Sequence, residues 1–278
     1  MRTTMICMVV AAMSGCTKPS SAPVPDAVPA VTTPPAASSV PAAAPASASA
    51  APAMSKPTVT DTFTTSKGPL AVTPIHHAST LLTFGGKSIY VDPAGEGDYS
   101  GLPKADFVFL SDIHPDHLDP ATIEKVQKAG TVFVGPQAVA DKAPQLKLLV
   151  VKNGDSKAFG DFSVLAVPMY NLTRGPAAGK LFHDKGRGDG FVFTFGDKRV
   201  YFSGDTECIP EMKALKNIDV AFVCMNLPYT MPPTEAAECI KAFAPKVLLP
   251  YHYKGSNLDE LTAALKGAPV EVRQRAWY

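Results

Sequence analysis

One nine-residue segment, Ser111–Asp119, concentrates side chains that can bind a metal ion. Its carboxylates and imidazoles are those of Asp112, His114, Asp116, His117 and Asp119. It follows an apolar stretch, Ala105–Leu110, that is typical of a buried strand. Carboxylates and neutral imidazoles packed this densely repel or desolvate one another unless a cation lies between them, so the segment predicts a metal site at a strand end. A polar turn that caps the next helix would explain only Asp119 at the N-cap and Pro120 after it.

The composition divides the 278-residue chain into three parts. Residues 17–57 are dominated by Ala, Pro and Ser and lack the apolar side chains needed for a core, so we expect a disordered tether. Residues 58–278 have enough Val, Leu, Ile and Phe for one domain. The net charge of +1 gives no electrostatic reason to expect nucleic acid as a partner.

The first sixteen residues have the pattern of an export signal. Arg2 precedes a short apolar run, Ile6–Met13, and the segment closes with Ser14, Gly15 and Cys16. Small residues before a cysteine resemble a bacterial lipobox, although Met13 stands where leucine is usual. We expect residues 1–16 to be a signal peptide and the protein to be exported, periplasmic or at the cell surface. A lipid on Cys16 would be its only membrane contact. The alternative is a plain signal peptide, which would leave the exported protein soluble.

The predicted domain contains three cysteines, Cys208, Cys224 and Cys239. An odd number without a Cys-x-x-Cys spacing predicts neither a disulfide framework nor a zinc knuckle. Cys224 and Cys239 lie in apolar patterns and are interpreted as packed core thiols. Cys208 follows a candidate metal ligand closely, which leaves open that it lines the site.

Strand and helix patterns alternate along the domain. Strands are predicted at residues 81–84, 88–91, 107–110, 132–134, 162–167, 190–195, 199–203, 220–225 and 247–250. Helices are predicted at residues 120–129, 234–243 and 258–266. Hairpin signals at Gly85-Gly86-Lys87 and Gly196-Asp197-Lys198 join two strand pairs. The pattern predicts an α/β domain with sheets covered by helices.

Two further strands end in residues that could bind metal. Arg199–Ser203 leads into Gly204-Asp205-Thr206, and Val247–Pro250 leads into His252. Ligands from distant parts of a chain can meet where strands end in sheet-based folds. Either residue alone would be unremarkable as a turn aspartate or a hydrogen-bonded histidine, but their order after the first cluster favours a shared site.

This set of motifs resembles the metallo-β-lactamase superfamily, whose usual first motif is His-x-His-x-Asp-His. The likeness extends from about Val72 to His252. The segments His76–Ser79 and Val91–Pro93 are similar to the opening of its lactonase-like and phospholipase-D-like branch. The resemblance implies a four-layer αββα sandwich of two mixed sheets, with one or two divalent metals, zinc first and manganese or iron as alternatives.

The resemblance also implies a role for each matching residue. Asp112 and His114 would bind a first metal, Asp116 and His117 a second, Asp205 would bridge both, and His252 would complete the second site. Residues two apart in extended chain point the same way, so Asp112 and His114 can share a metal.

The chain departs from the family pattern at two points. Asp112 replaces a histidine, which puts a hard oxygen where nitrogen is usual and should favour manganese or iron, or leave the first site partly empty. The histidine usually found after the middle of the domain is missing near Val167–Asn171. Either Asn171 coordinates weakly, or His183 supplies the ligand from the next loop. His183 is also a candidate catalytic or substrate-contacting residue.

Three more residues are candidate substrate contacts. His77 stands where the resemblance places a histidine that lines the site. Lys185 and Arg187 lie in a glycine-rich segment that precedes a strand, so that no helix N-terminus is available to hold an anion, although the two cations could contact an anionic substrate.

The predicted function is hydrolysis of a small-molecule ester, lactone or phosphodiester. A metal-bound hydroxide would attack the substrate. Asp116 would orient this hydroxide and pass on its proton. One alternative is a metal-binding or interaction module that kept the fold and lost turnover, and another is an iron-dependent redox enzyme of the same fold.

Overall fold

The structure is a computed structural model that describes residues 59–278. The predicted signal segment, the lipidation of Cys16 and the tether lie outside the described residues and stay predictions. Within residues 59–278, no helix combines the length and apolar character needed to cross a membrane.

Two seven-stranded sheets form the centre of the domain, and each follows the order of the chain. The first contains β1 (Asp61–Thr65), β2 (Gly68–His76), β3 (Ser79–Phe84), β4 (Lys87–Val91), β5 (Phe107–Phe109), β6 (Val132–Gly135) and β7 (Leu149–Val150). Its first four strands pair antiparallel and β4 to β7 pair parallel. Gly85 and Gly86 both adopt positive φ in the β3–β4 hairpin, as a tight turn that matches the strand twist requires.

The second sheet is built in the same way. It contains β8 (Ser156–Ala158), β9 (Phe162–Met169), β10 (Gly188–Phe195), β11 (Lys198–Phe202), β12 (Val220–Cys224), β13 (Val247–Tyr251) and β14 (Glu271–Val272). Strands β8 to β11 pair antiparallel, and β11 to β14 pair parallel. Both sheets are therefore mixed.

The main core lies between the sheets. Phe109 of the first sheet contacts Phe193 of the second with ring centroids 4.8 Å apart, and Phe84 contacts Phe195 at 5.0 Å. Side chains alternate across each strand, so that Val108, next to Phe109, belongs to a separate apolar cluster on the outer face.

Within residues 59–278, five α-helices flank the sheets: α1 (Pro120–Val126), α2 (Gln137–Lys142), α3 (Pro210–Lys213), α4 (Pro233–Phe243) and α5 (Leu258–Ala264). Ile123 of α1 and Val139 of α2 cover the outer face of the first sheet. Phe243 of α4 packs edge-on against Tyr201 of the second sheet. The predicted fold class, an α/β four-layer sandwich of two mixed sheets flanked by helices, is confirmed.

Most predicted elements occur close to their expected positions. The three predicted helices are α1, α4 and α5, and α1 ends at Val126 instead of residue 129. Asp119 caps α1 by accepting a hydrogen bond from the Ala121 amide at 3.1 Å, and Pro120 is its first residue. Short edge strands such as β7 and β14 were not predicted, because two residues are too few for a hydrophobic period to emerge.

The prediction of no disulfide was wrong for Cys208 and Cys239. Cys208 and Cys239, 31 residues apart, form a disulfide between the loop before α3 and the middle of α4. Cys224 is a free, buried thiol, as predicted. The pairing depends on how α4 packs against the chain before α3, which the spacing of cysteines along the sequence does not encode. Disulfides are typical of oxidising compartments, and the predicted export would place the domain in one.

A buried acid in β10 predicts a stability that depends on pH. Burial raises the pKa of Asp189 from 3.8 to about 7, and its side chain accepts a hydrogen bond from Asn153 while Oδ2 has no partner. The folded protein therefore holds the proton more tightly than the unfolded chain. The contribution of Asp189 to the free energy of unfolding is fully present below about pH 4 and falls by up to about 1.4 kcal/mol per pH unit as the pH rises towards 7.

We expect Asp189→Asn to remove this pH dependence. The variant should gain free energy of unfolding over the parent protein at pH 8 and much less at pH 5, measured by urea unfolding. Asp141→Asn, on the exposed surface of α2, is the matched control. The prediction would be contradicted if the free energies of unfolding of Asp189→Asn and the parent protein differed by the same amount at pH 5 and pH 8.

Candidate metal centre

The loops that follow six strands converge at one edge of the two sheets. They carry the side chains of His77, Asp92, the Asp112–His117 segment, Asn171, Asp205 and His252. Three of these, His77, Asp92 and His252, have φ between +45° and +52°. Left-handed backbone is unfavourable for such residues and is retained where the surrounding structure requires a side chain at a particular place.

Four side chains form what we call the Asp205 group: Asp116, His117, Asp205 and His252. His252 Nε2 lies 3.3 Å from Asp205 Oδ1 and 3.3 Å from Asp116 Oδ2, and His117 Nε2 lies 3.4 Å from Asp205 Oδ2. Ligand atoms about 2.0–2.2 Å from a tetrahedral cation are about 3.3–3.6 Å apart. The Asp205 group therefore has the spacing of ligands around one cation.

Buried atoms without hydrogen-bond partners converge in this group. They are His117 Nε2, His252 Nε2 and Asp205 Oδ1, joined by His183 Nε2 from the neighbouring loop. Buried polar atoms are normally paired, because leaving one unpaired costs about 1–3 kcal/mol. A shared cation would satisfy all of these atoms, so the residues present fit a divalent metal.

The electrostatic surroundings of His117 also favour a bound cation. Burial would lower its pKa, but Asp205, Asp92 and Asp116 outweigh burial and raise the pKa well above 6.5. The same imidazole therefore lies in a field of several carboxylates. A bound cation would be strongly attracted to that position.

Asp92 orients His117 from behind. Its Oδ2 accepts a hydrogen bond from His117 Nδ1 at 2.9 Å and another from the Ser111 hydroxyl at 2.6 Å. With the proton on Nδ1, the lone pair of Nε2 points into the Asp205 group. Sequence reasoning gave Asp92 no role, although the Val91-Asp92-Pro93 match was the available signal.

Three further side chains form what we call the Asp112 group: Asp112, His114 and His183. Asp205 lies between the two groups, because its Oδ2 is 3.2 Å from His183 Nε2 as well as 3.4 Å from His117 Nε2. The structure thus brings together all six motif residues that the sequence singled out, and His183 with them.

Asn171 is not placed as a ligand. Its Oδ1 accepts hydrogen bonds from the backbone N–H and from Nδ1 of His183, at 2.9 and 2.6 Å, and its amide nitrogen donates to Glu207 and to the Tyr229 carbonyl. Of the two alternatives for the missing histidine, the structure therefore favours His183, with Asn171 behind it. The buried Glu207 was not predicted, because its contacts come from a loop 36 residues away.

His77 contacts the Asp205 group through Asp116. Its Nε2 lies 3.1 Å from Asp116 Oδ2, and its Nδ1 lies 2.6 Å from the Tyr278 hydroxyl. Burial lowers the pKa of His77, although Asp116 opposes the shift. A neutral ring that donates a hydrogen bond from Nε2 to the Asp116 carboxylate accepts one at Nδ1 from the Tyr278 hydroxyl. Tyr278 had no signal in the sequence, since it belongs to no motif.

Neither Lys185 nor Arg187 is among the residues that line the cavity beside these groups, and their role as substrate contacts stays a prediction. Lys185 Nζ lies 2.7 Å from Glu211 Oε1 and 3.3 Å from the Tyr170 hydroxyl. Arg187 is paired with Asp112 through two contacts of 3.1 Å. Both cations are engaged with side chains of the domain, and sequence alone did not reveal these partners.

A cavity of about 610 Å³ opens beside the Asp205 group. His77, Asp116 and His252 are among the residues that line it. Phe182 and Tyr229 form one wall, with ring centroids 5.1 Å apart. The polar side chains of Glu96 and Lys254 also line it. The size and lining are typical of small-molecule sites.

Comparison with known proteins identifies the family. Residues 71–252 match the Beta-lactamase superfamily domain. A UPF0173 metal-dependent hydrolase from Symbiobacterium thermophilum is 30% identical over 212 residues, which cover 71% of this chain and 89% of that protein. One from Enterococcus faecalis is 29% identical over 168 residues, 55% of this chain and 74% of that protein.

Solved structures agree. A protein assigned as a metal-dependent hydrolase from Parabacteroides distasonis is 41% identical, with a TM-score of 0.74, over 80% of this chain and 100% of that chain. The metallo-β-lactamase fold protein YhfI from Bacillus subtilis shares the fold at 19% identity and a TM-score of 0.57, over 72% of this chain and 88% of that one. The chain is therefore a metal-dependent hydrolase of the metallo-β-lactamase superfamily and belongs to its UPF0173 family.

Proposed function

We propose that the protein hydrolyses a small-molecule ester, lactone or phosphodiester that binds in the cavity beside the Asp205 group. The observation that carries this proposal is the convergence of buried, unpartnered His117, His252 and Asp205 atoms next to that cavity. We propose zinc as the metal, with manganese or iron as alternatives, held by the Asp205 group. The chemistry that such a cation supplies when bound is polarisation of a substrate oxygen and a lower pKa for a water molecule.

Asp116 is the member of the Asp205 group that can act on substrate. Its side chain is 43% exposed, whereas those of His117, Asp205 and His252 are at most 4% exposed. Its carboxylate can accept a hydrogen bond from an attacking water molecule and hold that water towards the cavity. His77 fixes the orientation of the Asp116 carboxylate through the contact with Oδ2.

The cavity favours a substrate with an apolar part and a polar or charged part. Phe182 and Tyr229 offer an aromatic surface, and Tyr229 is 47% exposed, so it can cover an apolar group. Lys254 offers a cation on the lining. We rank lactones and phosphodiesters above β-lactams, because His77-Ala78-Ser79 and Val91-Asp92-Pro93 resemble the branch that cleaves the former.

A substrate panel tests the proposal. The purified full chain, loaded with Zn²⁺ or with Mn²⁺, is assayed on lactones, phosphodiesters, thioesters and β-lactams. We expect hydrolysis of at least one lactone or phosphodiester, its loss on exhaustive chelation, and its return when the metal is restored. A turnover that survives both chelation and Asp116→Ala would overturn the proposed mechanism, and the absence of turnover on the whole panel would overturn the substrate class.

A further inference from the structure

The Asp112 group differs from the Asp205 group because it already contains a cation. Arg187 Nε lies 3.1 Å from Asp112 Oδ1, and Arg187 Nη2 lies 3.1 Å from Asp112 Oδ2. The Asp112 side chain is completely buried, and that of Arg187 is 19% exposed. A guanidinium keeps its charge at every pH relevant to proteins, and its planar donors match a carboxylate in this two-point geometry.

Within the Asp112 group, the Asp112–His114 contact has the spacing of a hydrogen bond, whereas His183 Nε2 lies 3.8 Å from Asp112 Oδ2. Asp112 Oδ2 lies 2.7 Å from His114 Nδ1, well inside the separation of about 3.3–3.6 Å expected for two ligands of one tetrahedral cation. Both Asp112 oxygens have partners, whereas Asp205 Oδ1 has none. The Asp112 carboxylate is therefore already paired with a cation, whereas the Asp205 carboxylate has no Lys or Arg partner among the described residues.

The charges of the two groups also favour a metal ion at the Asp205 group over the Asp112 group. The Asp112 group contains one carboxylate, and the Arg187 guanidinium neutralises it. The Asp205 group contains the carboxylates of Asp116 and Asp205, with Asp92 directly behind His117. Among the described residues, Lys and Arg contribute no salt bridge to Asp116, Asp205 or Asp92.

The backbone fixes Arg187 beside Asp112. Strand β10 begins at Gly188, and the Asp189 N–H donates a hydrogen bond to the Ser111 carbonyl at 3.0 Å. A side chain at Gly188 would collide with Met169 and with the Ser111 carbonyl, so only glycine lets the two segments approach this closely. The residue before Gly188 is thereby held next to the residue after Ser111.

We propose that the Arg187 guanidinium takes the place of the first metal ion, so that this protein binds a single divalent cation, at the Asp205 group. This inference rests on the proposed function, since it assumes that the Asp205 group holds a metal. Asp112 in place of the usual histidine and the presence of Arg187 then belong together. The Asp112 carboxylate can form an ion pair with the Arg187 guanidinium, which a neutral imidazole at position 112 could not do. His114 is left beside the ion pair, where it lines the cavity, and His183 Nε2 remains 3.2 Å from Asp205 Oδ2.

Metal stoichiometry tests the inference without any assay of activity. The full chain is stripped with a chelator, titrated with Zn²⁺ by isothermal calorimetry, and analysed for metal by mass spectrometry after dialysis. We expect one Zn²⁺ per chain. Arg187→Met should raise this number to two, and Arg187→Lys, which keeps a positive charge, should leave it at one.

A second variant guards against loss of folding. Arg187→Met leaves a buried carboxylate unpaired, which is destabilising. Asp112→His combined with Arg187→Met removes both charges and restores the histidine usual in the family, and it should also bind two Zn²⁺ per chain. A parent protein that binds two would overturn the inference and leave the proposed function intact, whereas one that binds none would overturn both. Variants that fold and still bind one would show that Arg187 does not exclude the second metal.

Discussion

Replacing Asp205 with alanine is expected to abolish stable metal binding and to lower hydrolysis by about 10³-fold or more. Asp205 contacts three buried imidazoles of the site, since Oδ1 faces His252 while Oδ2 faces His117 and His183. Its loss removes the one carboxylate that joins these imidazoles. A catalytic cation contributes several kcal/mol, and each 1.36 kcal/mol corresponds to a factor of ten in rate. Metal content by mass spectrometry and kcat/KM on the best substrate of the panel are the two readouts.

Asp141→Ala on the exposed surface of α2 is the matched control for the loss of an aspartate. It should bind metal and turn over substrate like the parent protein. Urea unfolding in the presence of a chelator must show that Asp205→Ala is folded, so that a missing metal reflects a missing ligand. A folded Asp205→Ala variant that keeps its full metal content would contradict the assignment of the Asp205 group.

Replacing Asp116 with asparagine is expected to lower kcat by about 10²- to 10⁴-fold while KM changes little, because the side chain would act on the reacting water. Burial would raise the pKa of Asp116, but His117, His252 and His77 outweigh it and hold that pKa well below 3.8. The carboxylate is therefore ionised throughout the neutral range. Asparagine keeps its shape and its contacts with the cavity but loses the charge that attracts a proton.

The metal content of Asp116→Asn distinguishes this role from ligation alone. The variant should retain metal when Zn²⁺ is in excess, because the amide oxygen can still coordinate and the three buried members of the Asp205 group remain. Asp184→Asn, an exposed neighbour of His183, is the control and should have the parent's kcat. If Asp116→Asn restored to full metal content regains the parent's kcat, then Asp116 is a ligand and has no separate role in catalysis.

Much of the fold could be predicted because its signals are local. Short apolar runs, such as Ile89–Val91, and glycine pairs at hairpins reflect backbone geometry over a few neighbours. The strands that escaped prediction are β1, β2, β7, β8 and β14. Strands β7, β8 and β14 have at most three residues, too few for a hydrophobic period to emerge, and Pro69 and Pro74 interrupt the strand pattern of β2.

The chemical nature of the site was also visible in the sequence. The cluster from Asp112 to His117, then Asp205 and His252, all follow strands, and the structure places them within one region. The hydrogen-bond and ion-pair partners of individual side chains were not visible in the sequence. Asn171 was considered as a ligand and instead supports His183, and Lys185, which was considered as a substrate contact, pairs with Glu211.

The sequence by itself determined which side chains are available as ligands and that they stand at the ends of strands, because residue identity and hydrophobic period are properties of neighbouring positions. Only the tertiary structure decided how those side chains pair. The Arg187–Asp112 ion pair joins residues 75 positions apart, and the Cys208–Cys239 disulfide joins residues 31 apart. Such pairings depend on the packing of strands and helices against one another to within an ångström or so, and local propensities do not specify distances on that scale.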